Sequence, residues 1–248
     1  MRLKKFIGIN FAGILLLSAT TFLFTSCGEK KEEPKTELNK RSEVVTMDLQ
    51  ESMTPQQMID TLKKGNDKFV KGDITFNDYP SQIMKSAKDQ YPGAVVLSCL
   101  DSRVPVEKIF DLTIGDIFVA RVAGNIVNPD ILGSMEYGCK VAGAKLIVVL
   151  GHTECGAVKS AVDDVKLGNI TELLEKIRPA VDSVSEYQGD KTSKNKEFVQ
   201  KVCDENVILA ISNIRKNSPI LKEMEDTGKI KIIGGVYDLS NGKVTFFN

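Results

Sequence analysis

AVVLSCLDSR, residues 94–103, and LIVVLGHTECGA, residues 146–157, decide the fold of this chain. Each begins as an unbroken aliphatic run rich in Val and ends in polar residues, and similar runs lie at 117–120 and 230–233. Such runs are typical of strands buried on both faces of a parallel sheet. The segments between them are long enough for helices, so the sequence predicts an α/β fold with a central, mainly parallel β-sheet flanked by helices.

Three helices are predicted around this sheet. Thr54 and Pro55 supply an N-cap and a first-turn proline, and apolar residues recur at helical spacing as far as Val70. This pattern predicts an N-terminal helical arm. Residues 128–142, which begin Asn-Pro-Asp, predict a second helix, and residues 194–216 predict a long third one.

The amino terminus resembles an export signal and is set aside before the fold is considered. Three basic residues among the first five precede an apolar stretch at 6–24, and residues 24–27, FTSC, resemble the lipobox of bacterial lipoproteins. We expect residues 1–26 to be a signal peptide and Cys27 to be lipidated, which would anchor the chain to the bacterial cell envelope, on the outer-membrane or periplasmic side. The alternative is an uncleaved membrane-spanning anchor, which needs about 20 unbroken apolar residues.

A charged segment follows the lipidation site. Residues 28–43, GEKKEEPKTELNKRSE, contain almost nothing apolar, so we expect 27–52 to form a flexible tether and 53–248 to form one folded domain. The whole chain has 33 basic and 33 acidic residues. Loss of the three basic residues in the signal would leave a mildly acidic protein, which argues against nucleic acid as a partner.

Metal-binding side chains follow two of the predicted strands. Cys99, Asp101 and Arg103 close the first run, and His152 and Cys155 follow the third. Sites in open parallel sheets form beyond the carboxyl ends of the strands. Two thiolates and one imidazole suit zinc, and three protein ligands leave a position for water, as in catalytic zinc sites. Buried core cysteines, or a disulfide between the two, are the alternatives.

These motifs resemble those of the β-class carbonic anhydrases, C-x-D-x-R at 99–103 and H-x-x-C at 152–155. The likeness extends through 109–125, 133–144 and 232–244, and covers nearly all of the predicted domain. It implies the fold of that family and one Zn2+ per subunit, bound by Cys99, His152 and Cys155. It also implies reversible hydration of CO2 to bicarbonate and a proton through a zinc-bound hydroxide.

The resemblance implies a role for three further polar residues. Asp101 would accept a hydrogen bond from the hydroxide, and Arg103 would pair with Asp101 and keep that carboxylate off the metal. Gln90, in a Q-x-P segment, would direct a hydrogen-bond donor at the bound substrate.

The resemblance also implies a substrate pocket and an assembly. Phe118, Val122 and Tyr137 match pocket-lining positions, some of them lent by a neighbouring subunit in the family's homodimers or dimers of dimers; ordinary core packing is the alternative for all three. Cys139 and Cys203 are expected to be small core residues.

Three functions remain open from the sequence. The first is CO2 hydration, and the second is hydrolysis of carbonyl sulfide or carbon disulfide at the same site. The third is a non-catalytic zinc-binding surface lipoprotein, which requires a closed site with a fourth protein ligand.

Overall fold

A computed structural model describes residues 40–247 of the 248-residue chain. The predicted signal peptide, the predicted lipidation site at Cys27 and residues 28–39 of the predicted tether lie outside the described residues. Within the described part, no helix combines the length and the apolar character needed to cross a bilayer.

The described residues form seven strands and ten α-helices. The strands are β1 (Lys40–Arg41), β2 (Phe76–Asn77), β3 (Ala94–Ser98), β4 (Ile117–Arg121), β5 (Leu146–His152), β6 (Lys231–Tyr237) and β7 (Val244–Phe247). The helices are α1 (Met47–Ser52), α2 (Pro55–Lys71), α3 (Tyr79–Ser86), α4 (Val106–Ile109), α5 (Pro129–Glu136), α6 (Gly156–Val162), α7 (Gly168–Glu175), α8 (Arg178–Ser183), α9 (Lys196–Asn217) and α10 (Pro219–Asp226).

Five strands form the main sheet in the order β4-β3-β5-β6-β7. The first four are parallel, with Val96 opposite Val119 on one side and Val148 on the other, and β7 is antiparallel to β6. All residues of β3 and β5 are buried, as their unbroken aliphatic runs require. The predicted fold class, and the strands predicted from the four apolar runs, are confirmed.

Apolar side chains cover both faces of this sheet. On one face, Val95 and Ile147 pack in a cluster with Val207 and Ile211 of α9. On the other, α2 and α4 cover the sheet in a second buried cluster. A third cluster lies at the carboxyl ends of the strands and includes Cys99. Apolar side chains therefore cover both faces of the sheet and also pack around the carboxyl ends of β3 and β5, where the predicted ligands lie.

The opening helix begins and ends as its sequence predicts. Thr54 and Gln57 form a capping box, with Pro55 in the first turn, and Gly72 closes α2 in the left-handed conformation at φ +73°. The long helix is also confirmed: α9 is capped by Asn195, whose side chain accepts hydrogen bonds from the backbone N–H groups of the first turn.

The helix predicted over 128–142 is α-helical only as far as Glu136, and Tyr137–Val141 form a π-helical turn. Gly138 in this turn lies directly against β3, because a Cβ built there would be 2.5 Å from Val95 Cγ2. The helical segment therefore ends where the sequence predicts, but its last turn is wider, because the periodicity of apolar residues does not distinguish a π-helical turn from an α-helical one.

The folded domain also begins earlier than the predicted boundary at residue 53. Arg41 donates two hydrogen bonds of 2.8 Å to Asp116, a carboxylate whose side chain is 3% exposed. Gln50 is buried and donates to the carbonyls of Pro92 and Ala142. Residues 40–52 therefore pack on the domain. Composition could not indicate this because polar side chains make these contacts.

Candidate metal centre

Three ligand side chains meet beyond the carboxyl ends of two adjacent strands. Cys99 follows β3, His152 is the last residue of β5, and Cys155 is the N-cap of α6. Their candidate ligand atoms all lie within 4.8 Å of one another, and all three residues are buried. The two Sγ atoms are 3.9 Å apart, so the cysteines are free thiols and not a disulfide, whose S–S bond is about 2.05 Å. The structure thus assembles the predicted ligand set.

The imidazole of His152 is oriented for metal binding. Its Nδ1 lies 2.9 Å from the carbonyl oxygen of Thr153. A carbonyl can only accept a hydrogen bond, so Nδ1 carries a proton, and in the neutral ring Nε2 then has the lone pair. Nε2 is buried and has no hydrogen-bond partner among residues 40–247. An orphaned lone pair beside two thiols fits a zinc ion, because a buried polar atom is otherwise costly.

The thiols of Cys99 and Cys155 have pKa values shifted in opposite directions. Cys155 donates to Cys99 and holds the pKa of Cys99 below its usual value, and the hydrogen bond from the Gly124 N–H acts in the same direction. The same contact with Cys99 raises the pKa of Cys155, and burial raises it further. One thiol therefore ionises easily, and the second keeps its proton until a cation compensates for a second buried negative charge. A divalent metal supplies that compensation.

Asp101 lies at the edge of this cluster and is held by Arg103, as predicted. Arg103 Nε donates to Oδ1 at 2.9 Å, its terminal nitrogen donates to Oδ2 at 2.7 Å, and its backbone N–H also donates to Oδ1. These hydrogen bonds lower the pKa of Asp101 to about 2. Oδ2 is 3.9 Å from His152 Nε2. The carboxylate is therefore ionised and close to the ligands, while its oxygens are engaged by arginine.

Arg121 is a supporting residue that the sequence analysis missed. It ends β4, opposite Ser98 of β3, and its guanidinium donates to the carbonyls of Cys99 at 3.0 Å and Asp101 at 2.5 Å. These bonds shape the segment that carries both side chains. The available signal was its place at the carboxyl end of the strand run 117–120, where site residues are expected.

Two of the predicted pocket residues lie away from the ligands of their own chain. Phe118 and Tyr137 form an edge-on aromatic pair with ring centroids 6.4 Å apart, and both line a surface depression of about 630 Å3. Phe118 lies opposite Val95, four residues before Cys99, which is about 13 Å along the strand. Their role in a substrate pocket stays a prediction, and it requires a neighbouring subunit.

Val122 and Gln90, the other two residues predicted to contact substrate, differ in burial and surroundings. Val122 packs against the buried cluster that contains Cys99 and Cys155. Gln90 is exposed in the segment before β3, and its side chain makes no hydrogen bond to another described residue. Val122 is therefore close to the metal centre, whereas the role of Gln90 stays a prediction.

The remaining described cysteines are buried and free. Burial raises the pKa of Cys139 and of Cys203 to about 12, so both are protonated near neutral pH. Both pack in the core, as expected from the sequence. Cys203 also contacts the metal-ligand segment, because its thiol donates to the carbonyl of His152 at 3.1 Å.

Comparison with known proteins agrees with this arrangement. Residues 94–244 match the family model described as carbonic anhydrase. The chain is 37% identical over 191 residues to carbonic anhydrase 2 of Mycobacterium tuberculosis, and the alignment covers 73% of this chain and 87% of that protein. It is 36% identical over 194 residues to a carbonic anhydrase of Mycolicibacterium smegmatis, with 74% and 88% covered.

Solved structures show the same fold. One of two tetrameric β-carbonic anhydrases from Sordaria macrospora superimposes with a TM-score of 0.59 at 26% identity, covering 68% of this chain and 87% of that one. A β-carbonic anhydrase of Aspergillus fumigatus superimposes with a TM-score of 0.61 at 25% identity, covering 78% and 90%.

Proposed function

This chain belongs to the β-carbonic anhydrase family, and we propose that it catalyses the reversible hydration of CO2 to bicarbonate and a proton. One observation carries the proposal. The buried Nε2 of His152, which has no hydrogen-bond partner in the described part of the chain, lies with the thiols of Cys99 and Cys155 in a three-ligand group, beside a carboxylate that arginine holds. Three ligands suit a catalytic zinc ion, whereas structural sites use four.

Each residue of the site has a distinct task. Zinc bound by Cys99, His152 and Cys155 would make water a nucleophile near neutral pH. Asp101, ionised because its pKa is about 2, can accept a hydrogen bond from the attacking water and so direct a lone pair at the carbon of CO2. Arg103 engages both oxygens of that carboxylate, which restrains it from joining the ligands.

The proton released in the reaction must leave by another route than a second imidazole. His152 is the only histidine of the chain, and it is buried among the ligands with its Nδ1 proton on the Thr153 carbonyl. Proton transfer to solvent therefore depends on external buffer.

The non-catalytic reading requires a fourth protein ligand. Within residues 40–247, the group of clustered ligand atoms contains three residues, and the nearby Asp101 is engaged by Arg103. This arrangement favours an enzyme over a closed structural site.

Stopped-flow measurement of CO2 hydration, together with metal analysis of the full chain, tests the proposal. We expect one zinc per subunit and rapid hydration, both lost in Cys99→Ser. The matched control is Cys139→Ser, at a buried free cysteine outside the ligand group, which should keep both. A zinc-loaded chain that does not hydrate CO2 would contradict the proposal, and release of hydrogen sulfide from carbonyl sulfide or carbon disulfide by that chain would identify the hydrolase instead.

We also propose that the chain is exported and anchored to the cell envelope through a lipid on Cys27, on the outer-membrane or periplasmic side. The basic start, the apolar stretch at 6–24 and the FTSC segment support this. Labelled fatty acid should enter the wild-type chain and not Cys27→Ser. Mass spectrometry of the mature protein should find Cys27 as its first residue, whereas an uncleaved anchor would retain residues 1–26.

We propose a homodimer or a dimer of dimers as the active assembly. The distance of about 13 Å along the strand between Phe118 and its own Cys99 supports this, since a Phe118 side chain that lines a substrate pocket has to line the pocket of a neighbouring subunit. Exposed apolar residues on α1 and in the π-helical turn also favour association; they are Met47, Leu49, Tyr137 and Val141. Light scattering that finds a monomer with full activity would contradict this assembly.

A further inference from the structure

The long helix α9 buries a polar side chain where its other buried residues are mostly apolar. Asn206 is 2% exposed and donates through Nδ2 to the carbonyl oxygen of Gly124 at 2.8 Å. The apolar residues on the buried side of α9 are Phe198, Val199, Val202, Val207, Ala210, Ile211 and Ile214. A leucine at position 206 would bury apolar surface without desolvating an amide, so the single bond to Gly124 is the feature that distinguishes asparagine there.

Gly124 connects this hydrogen bond to a metal ligand. Its backbone is left-handed at φ +68°, and its N–H donates to Cys99 Sγ at 3.3 Å. A Cβ at this position would be 2.6 Å from Ile177 Cδ1 and 3.2 Å from the Cβ of Ala157. The turn is therefore confined on one side by neighbouring side chains and bonded to α9 through its carbonyl.

A second side chain of α9 contacts the other ligand segment. Cys203 lies three residues before Asn206, on the same face of the helix. Its thiol donates to the carbonyl of His152 at 3.1 Å. The helix approaches β5 closely here, since a Cβ on Gly151 would be 2.7 Å from Val207 Cγ2 and 3.3 Å from Cys203 Sγ.

We propose that Asn206 and Cys203 are positioning residues of the metal centre, through which α9 aligns the Cys99 and His152 segments before the metal binds. Asn206 holds the turn whose N–H donates to Cys99 Sγ, and Cys203 holds the backbone of His152. Neither belongs to the group of candidate ligands. The inference rests on the zinc site of the proposed function and adds that its affinity depends on a helix that carries no ligand.

Zinc affinity of the full chain, measured by competition with a chromophoric chelator, tests the role of Asn206. The absorption spectrum of the Co2+-substituted protein gives a second measure that does not depend on activity. Asn206→Leu is expected to weaken zinc binding about 10- to 100-fold, the usual effect of removing a group that supports a ligand. The Co2+ spectrum should change because the Cys99 sulfur is no longer held by the N–H of an ordered turn.

Asn66→Leu is the matched control. Asn66 is 3% exposed, donates to the carbonyls of Ile109 and Gly242, and accepts from the N–H of Val244. It makes more hydrogen bonds than Asn206 but bonds to none of the ligand segments. Its replacement should lower the free energy of unfolding and leave zinc affinity and the Co2+ spectrum unchanged.

Cys203 provides a smaller perturbation if Asn206→Leu does not fold. Cys203→Ser retains a donor to the His152 carbonyl and should bind zinc nearly as well as the wild type, whereas Cys203→Ala should bind it more weakly. Unchanged affinity in a folded Asn206→Leu, equal weakening by Asn66→Leu, or equal affinities of Cys203→Ser and Cys203→Ala would each overturn the positioning role. A wild-type chain that does not bind zinc would instead remove the proposed function itself.

Discussion

Gly124→Ala perturbs the turn that donates to Cys99 without altering any ligand. Alanine would have to adopt φ near +68° at this position, and the left-handed conformation costs an L-residue about 1–2 kcal/mol. The added methyl would also lie 2.6 Å from Ile177 Cδ1 and 3.2 Å from Ala157 Cβ, so a neighbour or the turn itself must move.

Overpacking of a filled core typically costs about 1–3 kcal/mol. Combined with the conformational cost, Gly124→Ala should lower the free energy of unfolding by about 2–5 kcal/mol. If the turn moves and the side chains stay, the N–H leaves Cys99 Sγ and zinc affinity falls as well. Urea denaturation followed by circular dichroism at a fixed zinc concentration measures the first effect, and chelator competition measures the second.

Gly72→Ala separates the two contributions. Gly72 ends α2 at φ +73°, nearly the same backbone conformation, but a Cβ there would have nothing within 4 Å. Its replacement should cost only the conformational part, about 1–2 kcal/mol, with zinc affinity unchanged. Equal losses of stability in the two variants would refute the argument from packing around Gly124.

The remaining predictions concern charge and proton transfer. Asp101→Asn should retain zinc and lower kcat by about 10²–10⁴-fold, since a neutral amide cannot replace the ionised acceptor; a kcat within tenfold of the wild type would show that Asp101 does not orient the water. Arg121→Gln should weaken zinc binding, as measured by chelator competition, because the guanidinium donates hydrogen bonds to the carbonyls of Cys99 and Asp101. The control is Arg178→Gln, at a surface arginine paired with Asp164, which should leave zinc affinity unchanged. Two thiolates would cancel the charge of Zn2+, so the water it binds should be less acidic than water on zinc held by three neutral histidines. Activity should therefore rise towards alkaline pH, and a flat profile of activity against pH would contradict this. Turnover should increase with imidazole or phosphate concentration, and indifference to both would exclude proton export as a limiting step.

The low pKa of Asp101 fixes the sign of another pH effect. Arg103 lowers this pKa to about 2 in the folded protein, against about 3.9 in an unfolded chain. Because the folded value is the lower one, the pair stabilises the fold above about pH 4, and this contribution is lost as the pH falls towards 2. Acid unfolding curves of the wild type and Arg103→Ala should therefore converge below that range, whereas a difference that grows on acidification would contradict the assignment.

Local sequence determined the strands and the ligand set. The aliphatic runs at 94–97 and 146–150 are typical of strands buried on both faces of a parallel sheet, and neighbouring parallel strands end at one edge. Cys99 and His152 therefore had to approach each other once their strands paired. The caps of α2 and α9 were equally local, since they depend on residues adjacent to each helix.

Only the tertiary structure decided what supports those ligands. Asn206 and Gly124 are 82 residues apart, Arg41 and Asp116 are 75 apart, and hydrophobic periodicity does not register such polar contacts. The domain boundary was misplaced for that reason. Periodicity reports which face of an element is buried, whereas hydrogen bonds to distant backbone carbonyls depend on how the elements pack. The candidate metal ligands could thus be identified from the sequence, whereas the contacts that α9 makes with their segments could not.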